Sequence, residues 1–345
     1  MNNTLKKLLG LGAAALVAST IATSAFAAEV TLKMHQFLPP QANVPKLVLD
    51  VWAANVEKSS GGRIEVKHFP SMQLGGKPPE LMDQAIDGVA DIIWTVVGYT
   101  PGRYPRTEVF ELPFMMTNAA AASRAYWQMF ETHMKDTEFK DLKILGTWVH
   151  GPGMIHSKEP INTMKDLAGV KIRGGSRMIN KLLTKLGATP VGMPVPAVSE
   201  ALSKGVISAT TIPWEVTTAL KVPELVKNHT EFSNKALYTL TFVLAMNKAK
   251  YESLPADLKK AIDDNSGEEF SVFAGTTQAA ADGPARAKTV AMKNNIITLS
   301  DEEVAKWQEA SKPIYAEWIA DMKGKGIDGA ALISEAQMLI KKYTK

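Results

Sequence analysis

Residues 169–214 read GVKIRGGSRMINKLLTKLGATPVGMPVPAVSEALSKGVISATTIPW, and this stretch decides the fold. Val170-Lys171-Ile172-Arg173 predicts a short buried strand, and Gly174-Gly175-Ser176 predicts the turn after it. Met178, Ile179, Leu182, Leu183 and Leu186 recur at helical spacing, and Gly187 stops that helix. A second strand over 189–191, the proline-framed loop Met193-Pro194-Val195-Pro196, and a helix through Val198, Ala201 and Leu202 come next. Gly205 ends that helix, a third strand covers 206–212, and Pro213-Trp214 closes the run. Strands separated by helices at this spacing pair in parallel, and open parallel sheets hold ligands beyond the carboxyl ends of their strands. Arg173 and Trp214 fall at such ends.

The same grammar runs through the first half of the chain. Val30, Leu32 and Met34 alternate with Thr31, Lys33 and His35, which predicts a strand with one buried face, ended by Pro39-Pro40. Pro45, Leu49, Trp52 and Val56 predict a helix; 63–69 and 90–94 predict strands on either side of a helix at 79–86. A helix at 119–130 and a strand at 143–149 lead to the breaker Gly151-Pro152-Gly153, where a first crossing between domains is expected. The strand-like segment 238–246 returns the chain. Pro255 opens a helical region reaching about Asn294 with Gly275 and Gly283-Pro284 as its breakers, long enough to span two domains. Ser300 with Glu303 forms a capping-box pattern ahead of Val304, Trp307, Ile314 and Trp318. Trp52, Trp127, Trp307 and Trp318 stand at helical spacing and are assigned to packing.

The first 27 residues have the form of a secretion signal: Lys6-Lys7, an apolar stretch from Leu8 to Ala22, and Ala25-Phe26-Ala27 as the cleavage site. Removing them from 345 residues leaves 318, enough for two domains, and places the mature chain in a bacterial periplasm. Taking Lys6 and Lys7 from 39 basic residues leaves 37 against 35 acidic ones, a net charge of +2 that argues against nucleic acid as a partner. There is no cysteine, so disulfides, thiolate nucleophiles and cysteine metal sites are excluded. No later apolar run reaches the roughly 18 residues of a membrane helix.

Signatures of nucleotide, serine-hydrolase and zinc-protease chemistry are missing. His150 and His156 are the closest histidine pair and lack a third ligand nearby, so no metal or cofactor is expected. Arg173 is the chemical candidate. A guanidinium keeps its charge when desolvated and offers a planar fork that matches a carboxylate; a domain-internal ion pair is the competing reading. Phe37, Trp94, Tyr99, Trp148 and Trp214 stand at or beyond strand ends, as cleft walls or as core.

Several segments together carry a family likeness over the whole mature chain. These are Ser71-Met72-Gln73-Leu74-Gly75-Gly76, Leu112-Pro113-Phe114, Asp166-Leu167-Ala168-Gly169-Val170-Lys171-Ile172-Arg173, 186–194, Leu254-Pro255, 298–303 and Lys312-Pro313-Ile314-Tyr315. The chain resembles the solute-binding proteins of TRAP (tripartite ATP-independent periplasmic) transporters. That resemblance implies an α/β fold of two discontinuous domains with a ligand cleft between them and a long domain-spanning helix. It also implies closure on the ligand and an arginine, here Arg173, that pairs with the ligand carboxylate. Relatives that bind very polar acids often carry a second arginine where this chain has Gly153. They also often have Asp-Gly and Asn-Pro where it has Ser208-Ala209 and Ile212-Pro213, which points away from sugar acids and small dicarboxylates.

The expected protein is therefore a non-enzymatic, monomeric carrier. It would take an organic carboxylate, best an aromatic or aryl keto monocarboxylate, to the membrane subunits of a TRAP transporter. Residues 28–150 with 239–278 would form one domain, and 151–238 with 279–345 the other. Arg173 would clamp the carboxylate; Phe37, Trp94, Tyr99, Trp148 and Trp214 would furnish walls; Thr95 would serve a second polar atom. His35, Gly153, Met193, Val195 and Ile212 complete the expected lining. An aliphatic keto acid or a dicarboxylate is the alternative ligand, and a periplasmic hydrolase using His150 or His156 as base is the alternative function.

Overall fold

The computed structural model describes residues 28–116 and 118–344; the expected secretion signal lies outside them. Eleven strands are described. β1 (Val30–His35), β2 (Ile64–Phe69), β3 (Ile92–Val96) and β4 (Leu142–Val149) come first. β5 (Met154–Ser157), β6 (Lys171–Gly174), β7 (Thr189–Gly192), β8 (Ala209–Ile212) and β9 (Asn228–Glu231) follow, then β10 (Thr241–Asn247) and β11 (Asn295–Thr298). They form two sheets, ordered β2-β1-β3-β10-β4 and β11-β9-β5-β8-β6-β7. The chain thus leaves the first sheet after β4, builds most of the second, returns for β10 and departs again for β11. Each sheet, with its helices, is one lobe of an α/β fold.

The decisive stretch folds as its pattern requires. β6 pairs in parallel with both β7 and β8, setting Arg173 opposite Val191 and Thr210. The helix Arg177–Lys185 buries Met178, Ile179, Leu182 and Leu183, and Ser176 caps it by accepting from the Ile179 N–H at 3.3 Å. In the first lobe β1 runs parallel to β2 and β3, while β10 is antiparallel to β3 and β4. Trp52, Trp307 and Trp318 are buried packing residues. Among the described residues no helix is long and apolar enough to cross a membrane.

Three differences from the expected elements have physical causes. The region after Pro255 is three helices, Ala256–Asp263, Glu268–Ala280 and Asp282–Ala291. Gly267, at φ 93°, makes the break. Gly275 is no breaker: it sits inside the second helix, where a Cβ would come within 2.1 Å of Ser123 Oγ, so it allows close packing. The second and third helices, separated only at Ala281, pass from contacts with β4 to contacts with Trp214–Thr217 and so link the lobes. Ser300 caps its helix, but the Glu303 carboxylate accepts from Met164 N and Trp307 Nε1, so the reciprocal half of the capping box is not made.

Candidate ligand-binding cleft

The lobes meet over a narrow cleft with about 30 Å³ of free volume. The first lobe supplies Phe37 and Leu38 beyond β1, Trp94 and Val96 of β3, Tyr99, and Phe242 of β10. The second supplies Arg173 from β6, Val195, and Ile212, Pro213, Glu215 and Val216 at and just after the end of β8. His150, Tyr238 and Leu240 come from the crossing segments, and Gln278 from the linking helix.

Arg173 is only 1% exposed. Its Nε–H donates to the Met193 carbonyl at 2.9 Å and Nη1 donates to the Thr211 carbonyl at 3.0 Å, so the loop after β7 and strand β8 hold the guanidinium in place. Nη2 is buried and donates to nothing, and among the described residues no carboxylate forms an ion pair with Arg173. A Cβ on Gly175 would lie 3.1 Å from both terminal guanidinium nitrogens, so glycine is needed beside them. Two further buried donors in the cleft lack partners, Trp94 Nε1 and Tyr238 Oη. Unsatisfied donors gathered round an uncompensated cation form a site for an anion rich in acceptors.

Rings line the remaining wall. Phe37 stacks on Trp94 at 4.6 Å between centroids, Trp94 stacks on Phe242 at 5.5 Å, and Tyr99 meets Phe37 edge-on at 5.6 Å. The sheet explains the alignment: Leu244 of β10 lies opposite Trp94, so Phe242, two residues along, shares that face. The Tyr99 hydroxyl accepts from the Val195 N–H at 2.9 Å, a hydrogen bond from one lobe to the other.

A paired α/β architecture with a buried anion clamp between lobes coincides with what comparison finds. The sequence model of the bacterial extracellular solute-binding proteins, family 7, matches residues 35–321. The chain belongs to this family of TRAP solute-binding proteins. A TRAP solute-binding protein from Rhodoferax ferrireducens, solved with copurified benzoate, is 50% identical, with TM-score 0.89 over 90% of this chain and 98% of that one. A marine-metagenome TRAP solute-binding protein described as specific for aromatic acid ligands, solved with metahydroxyphenylacetate, is 46% identical with TM-score 0.90. There the match covers 92% of this chain and 100% of the other. The C4-dicarboxylate-binding periplasmic protein DctP of Rhodobacter capsulatus is 25% identical over 263 residues, 76% of this chain and 78% of that protein.

Of the twelve positions expected to line the cleft of this solute-binding protein, Phe37, Trp94, Tyr99, Arg173, Val195 and Ile212 come together there. Met193 contributes its carbonyl to Arg173. The other five stand elsewhere. Both His35 ring nitrogens are used within the first lobe, Nδ1 with Gln84 at 2.7 Å and Nε2 accepting from Leu74 N at 3.2 Å. Trp148 lies one layer behind the wall, covered by Phe270 and bonded to Gln278. Trp214 packs against His156 and His229 and donates to Glu231 at 2.9 Å, inside the second lobe. Thr95 is buried outside the cleft lining. Gly153 cannot hold a side chain, because a Cβ there would lie 2.1 Å from the Tyr238 ring. Tyr238 therefore fills the space over that glycine.

The residues not anticipated are Tyr238, Leu240, Phe242, Glu215 and Gln278. Phe242 carried a signal, its place in the 240, 242, 244, 246 alternation; Tyr238 and Gln278 lie in a crossing segment and a helix, where no local pattern marks a cleft. His150 lines the cleft, and burial followed by the Arg173 charge pushes its imidazole down to about 4. Its Nε2 accepts from Leu240 N at 3.2 Å, which assigns the proton to Nδ1, facing the Gly151 carbonyl. His156 is likewise neutral, pushed down to about 3 by burial, with Nε2 donating to the Ile212 carbonyl and Nδ1 accepting from His229.

A larger groove of about 810 Å³ opens beside the cleft and shares Tyr99 with it. Its charges are neutralised: Arg177 pairs with Glu108 and Asp321, Lys181 with Asp321, and Lys185 with Glu317. Size favours this groove; unpartnered donors favour the smaller cleft, and these carry the chemistry.

Proposed function

We propose that this protein captures an aromatic or aryl keto monocarboxylate in the periplasm and delivers it unchanged to the membrane subunits of a TRAP transporter. The observation that carries this reading is the buried Arg173 guanidinium, with its unpartnered Nη2 and no carboxylate partner, in one cleft with a stacked aromatic wall. Leaving such a cation unpaired is costly, and a carboxylate taking up its fork offsets that cost. One arginine suits one carboxylate. Flat rings suit a flat body, each good ring pair contributing about 0.5 to 1.5 kcal/mol beyond area burial.

The aromatic acids held by the two structural relatives support the ligand class, and the periplasmic relative supports the location. We take residues 28–150 with 239–278 and 151–238 with 279–345 as the two closing domains, and a monomer suffices because both walls come from one chain. An aliphatic keto acid would leave the ring wall without a ring. A dicarboxylate would need a second cation, and no lysine or second arginine lines the cleft. A hydrolase would need a free base, but hydrogen bonds engage both ring nitrogens of His150 and of His156.

Thermal-shift screening tests the proposal, since a ligand bound only by the folded state raises Tm with its concentration. Benzoate or an arylacetate should raise Tm and be recovered unchanged by native mass spectrometry. A strong shift with succinate or a sugar acid, and none with any aromatic acid, overturns it.

A further inference from the structure

The cleft that holds Arg173 also carries an acid. Glu215 is 3% exposed and lines the same cavity. Among the described residues no lysine, arginine or histidine forms an ion pair with it. Its carboxyl accepts from Gln278 Nε2 at 2.9 Å, its backbone carbonyl accepts from Asn43 Nδ2 at 2.7 Å, and its backbone N–H donates to Asp282 Oδ1 at 2.8 Å.

Chemistry fixes the direction of this chain of bonds. The Trp148 indole can only donate, and it donates to Gln278 Oε1 at 2.8 Å. The Gln278 amide therefore turns its NH₂ toward Glu215, so Glu215 acts as an acceptor there. A carboxyl has about four lone-pair sites, and the one donor from Gln278 leaves it acceptor capacity in a cleft otherwise short of acceptors.

Arg173 and Glu215 have distinct electrostatic surroundings. The Arg173 charge acts on Tyr99, Tyr238 and His150. At Glu215 the neighbouring titratable group is the Asp282 carboxyl: burial raises Glu215 to about 7 and Asp282 to about 8, and Glu215 adds to the rise at Asp282. Phe37, Trp94 and Phe242 supply the stacked rings of the same cleft. A ligand held by its carboxylate at Arg173 and by its ring on that wall shares the cleft with a hydrogen-bond acceptor that the Arg173 charge does not reach.

We propose that Glu215 is a specificity-determining residue that accepts a hydrogen bond from a ring hydroxyl or amine distal to the ligand carboxylate, and that it excludes a second carboxylate there. This rests on the monocarboxylate reading and narrows it. A dianion would bury its second charge with no second cation in the cleft lining to offset it.

The test is calorimetry with benzoate and with hydroxy-, amino- and methoxybenzoates substituted at the 3 or 4 position, on the parent and on Glu215→Met. The parent should bind at least one hydroxy or amino acid about 10-fold more tightly than its methoxy counterpart. In Glu215→Met that ratio should fall to within about 2-fold, while benzoate affinity changes little. A variant damaged only in packing would lose affinity for all probes equally, leaving the ratio intact, and that result overturns the assignment. Should Glu215→Met fail to fold, Glu215→Gln keeps the Gln278 hydrogen bond through its carbonyl and turns a donor to the ligand; the hydroxy-over-methoxy ratio should again shrink. Aromatic acids that bind the parent with no preference for a donor at any ring position refute the role of Glu215 and leave the proposed function standing. Succinate binding in place of every aromatic acid removes both.

Discussion

The two lobes bring different chemistry to the cleft. The first contributes the rings of Phe37, Trp94, Tyr99 and Phe242, with Leu38 and Val96 beside them, held in register by β1, β3 and β10. The second contributes Arg173, the aliphatic Val195 and Ile212, and Glu215. Under the proposed function, one wall measures the flat body of a ligand and the other reads its charge. The separation teaches why that function calls for closure: neither wall alone completes a site, and the Tyr99 to Val195 hydrogen bond joins them where they meet.

The comparison breaks most sharply at Arg173. Arg173→Ala should weaken binding by about 2 to 5 kcal/mol, roughly 30-fold to several-thousand-fold. Arg173→Lys should also weaken it, because an ammonium cannot reproduce two parallel hydrogen bonds. Arg177, four residues on, is the control: it is already paired with Glu108 and Asp321, so Arg177→Ala should change stability and leave affinity nearly intact. Calorimetry with benzoate decides, and equal losses at the two arginines would remove the distinction.

Arg173 was legible in the sequence because β6 ends in a charged residue followed by two glycines and a cap, and all three features have local causes. Phe37, Trp94 and Tyr99 were legible as ring-bearing ends of strands in one lobe. Trp148 and Trp214 had the same local signature and went elsewhere, since a strand end does not reveal which helix covers it: Phe270 and Gln278 cover Trp148, and Glu231 draws Trp214 inward. β5, β9 and β11 escaped notice because two of them bury a histidine instead of an apolar run and the third, Asn295–Thr298, is half-buried between exposed ends. Glu215 escaped because its neighbours, Asn43, Gln278 and Asp282, are far away in sequence.

Tyr99→Phe probes the contact between the lobes. It removes the acceptor of the Val195 N–H and leaves a buried donor unsatisfied in the closed form, at a cost of about 1 to 3 kcal/mol. Affinity for benzoate should fall by about 10-fold, and the fall should lie mainly in a faster dissociation rate. Small-angle scattering sharpens the point: the parent should contract on saturation with ligand, and a radius of gyration indifferent to ligand would show that the lobes do not close on it.

Trp94→Phe isolates the donor on the aromatic wall. A phenyl ring keeps a stacking surface for Phe37 and Phe242 but lacks the indole N–H, which has no partner within the protein. If that N–H serves a bound acceptor, affinity should drop by about 5-fold, the usual contribution of one neutral hydrogen bond. Unchanged affinity would reduce Trp94 to a packing surface.

The smallest effect sets buried acids against buried histidines in the pH dependence of stability. Burial lifts Glu111, Glu138 and Glu215 to about 7 and Asp282 to about 8. A raised value means that the folded chain keeps protons the unfolded chain has released. The stability from these groups is therefore complete below about pH 4 and is lost as pH climbs through about 7 to 8. Burial pushes His150 and His229 down to about 4 and His156 to about 3, so their contribution is complete above the ordinary histidine value and is lost as pH falls toward about 3 to 4. The two trends oppose each other in acid. Between about pH 6.5 and 8 the acids act alone, and Tm should fall as pH rises. Glu215→Gln keeps the hydrogen bond from Gln278, has no charge to bury, and relieves Asp282 of its neighbour. Its Tm should drop less than that of the parent across this window, by about 2 °C or more. Scanning calorimetry at three pH values measures both slopes. A parent Tm that rises from about pH 6.5 to 8 would contradict the sign derived for the acids, and parallel slopes would shift the effect from Glu215 to Glu111 and Glu138.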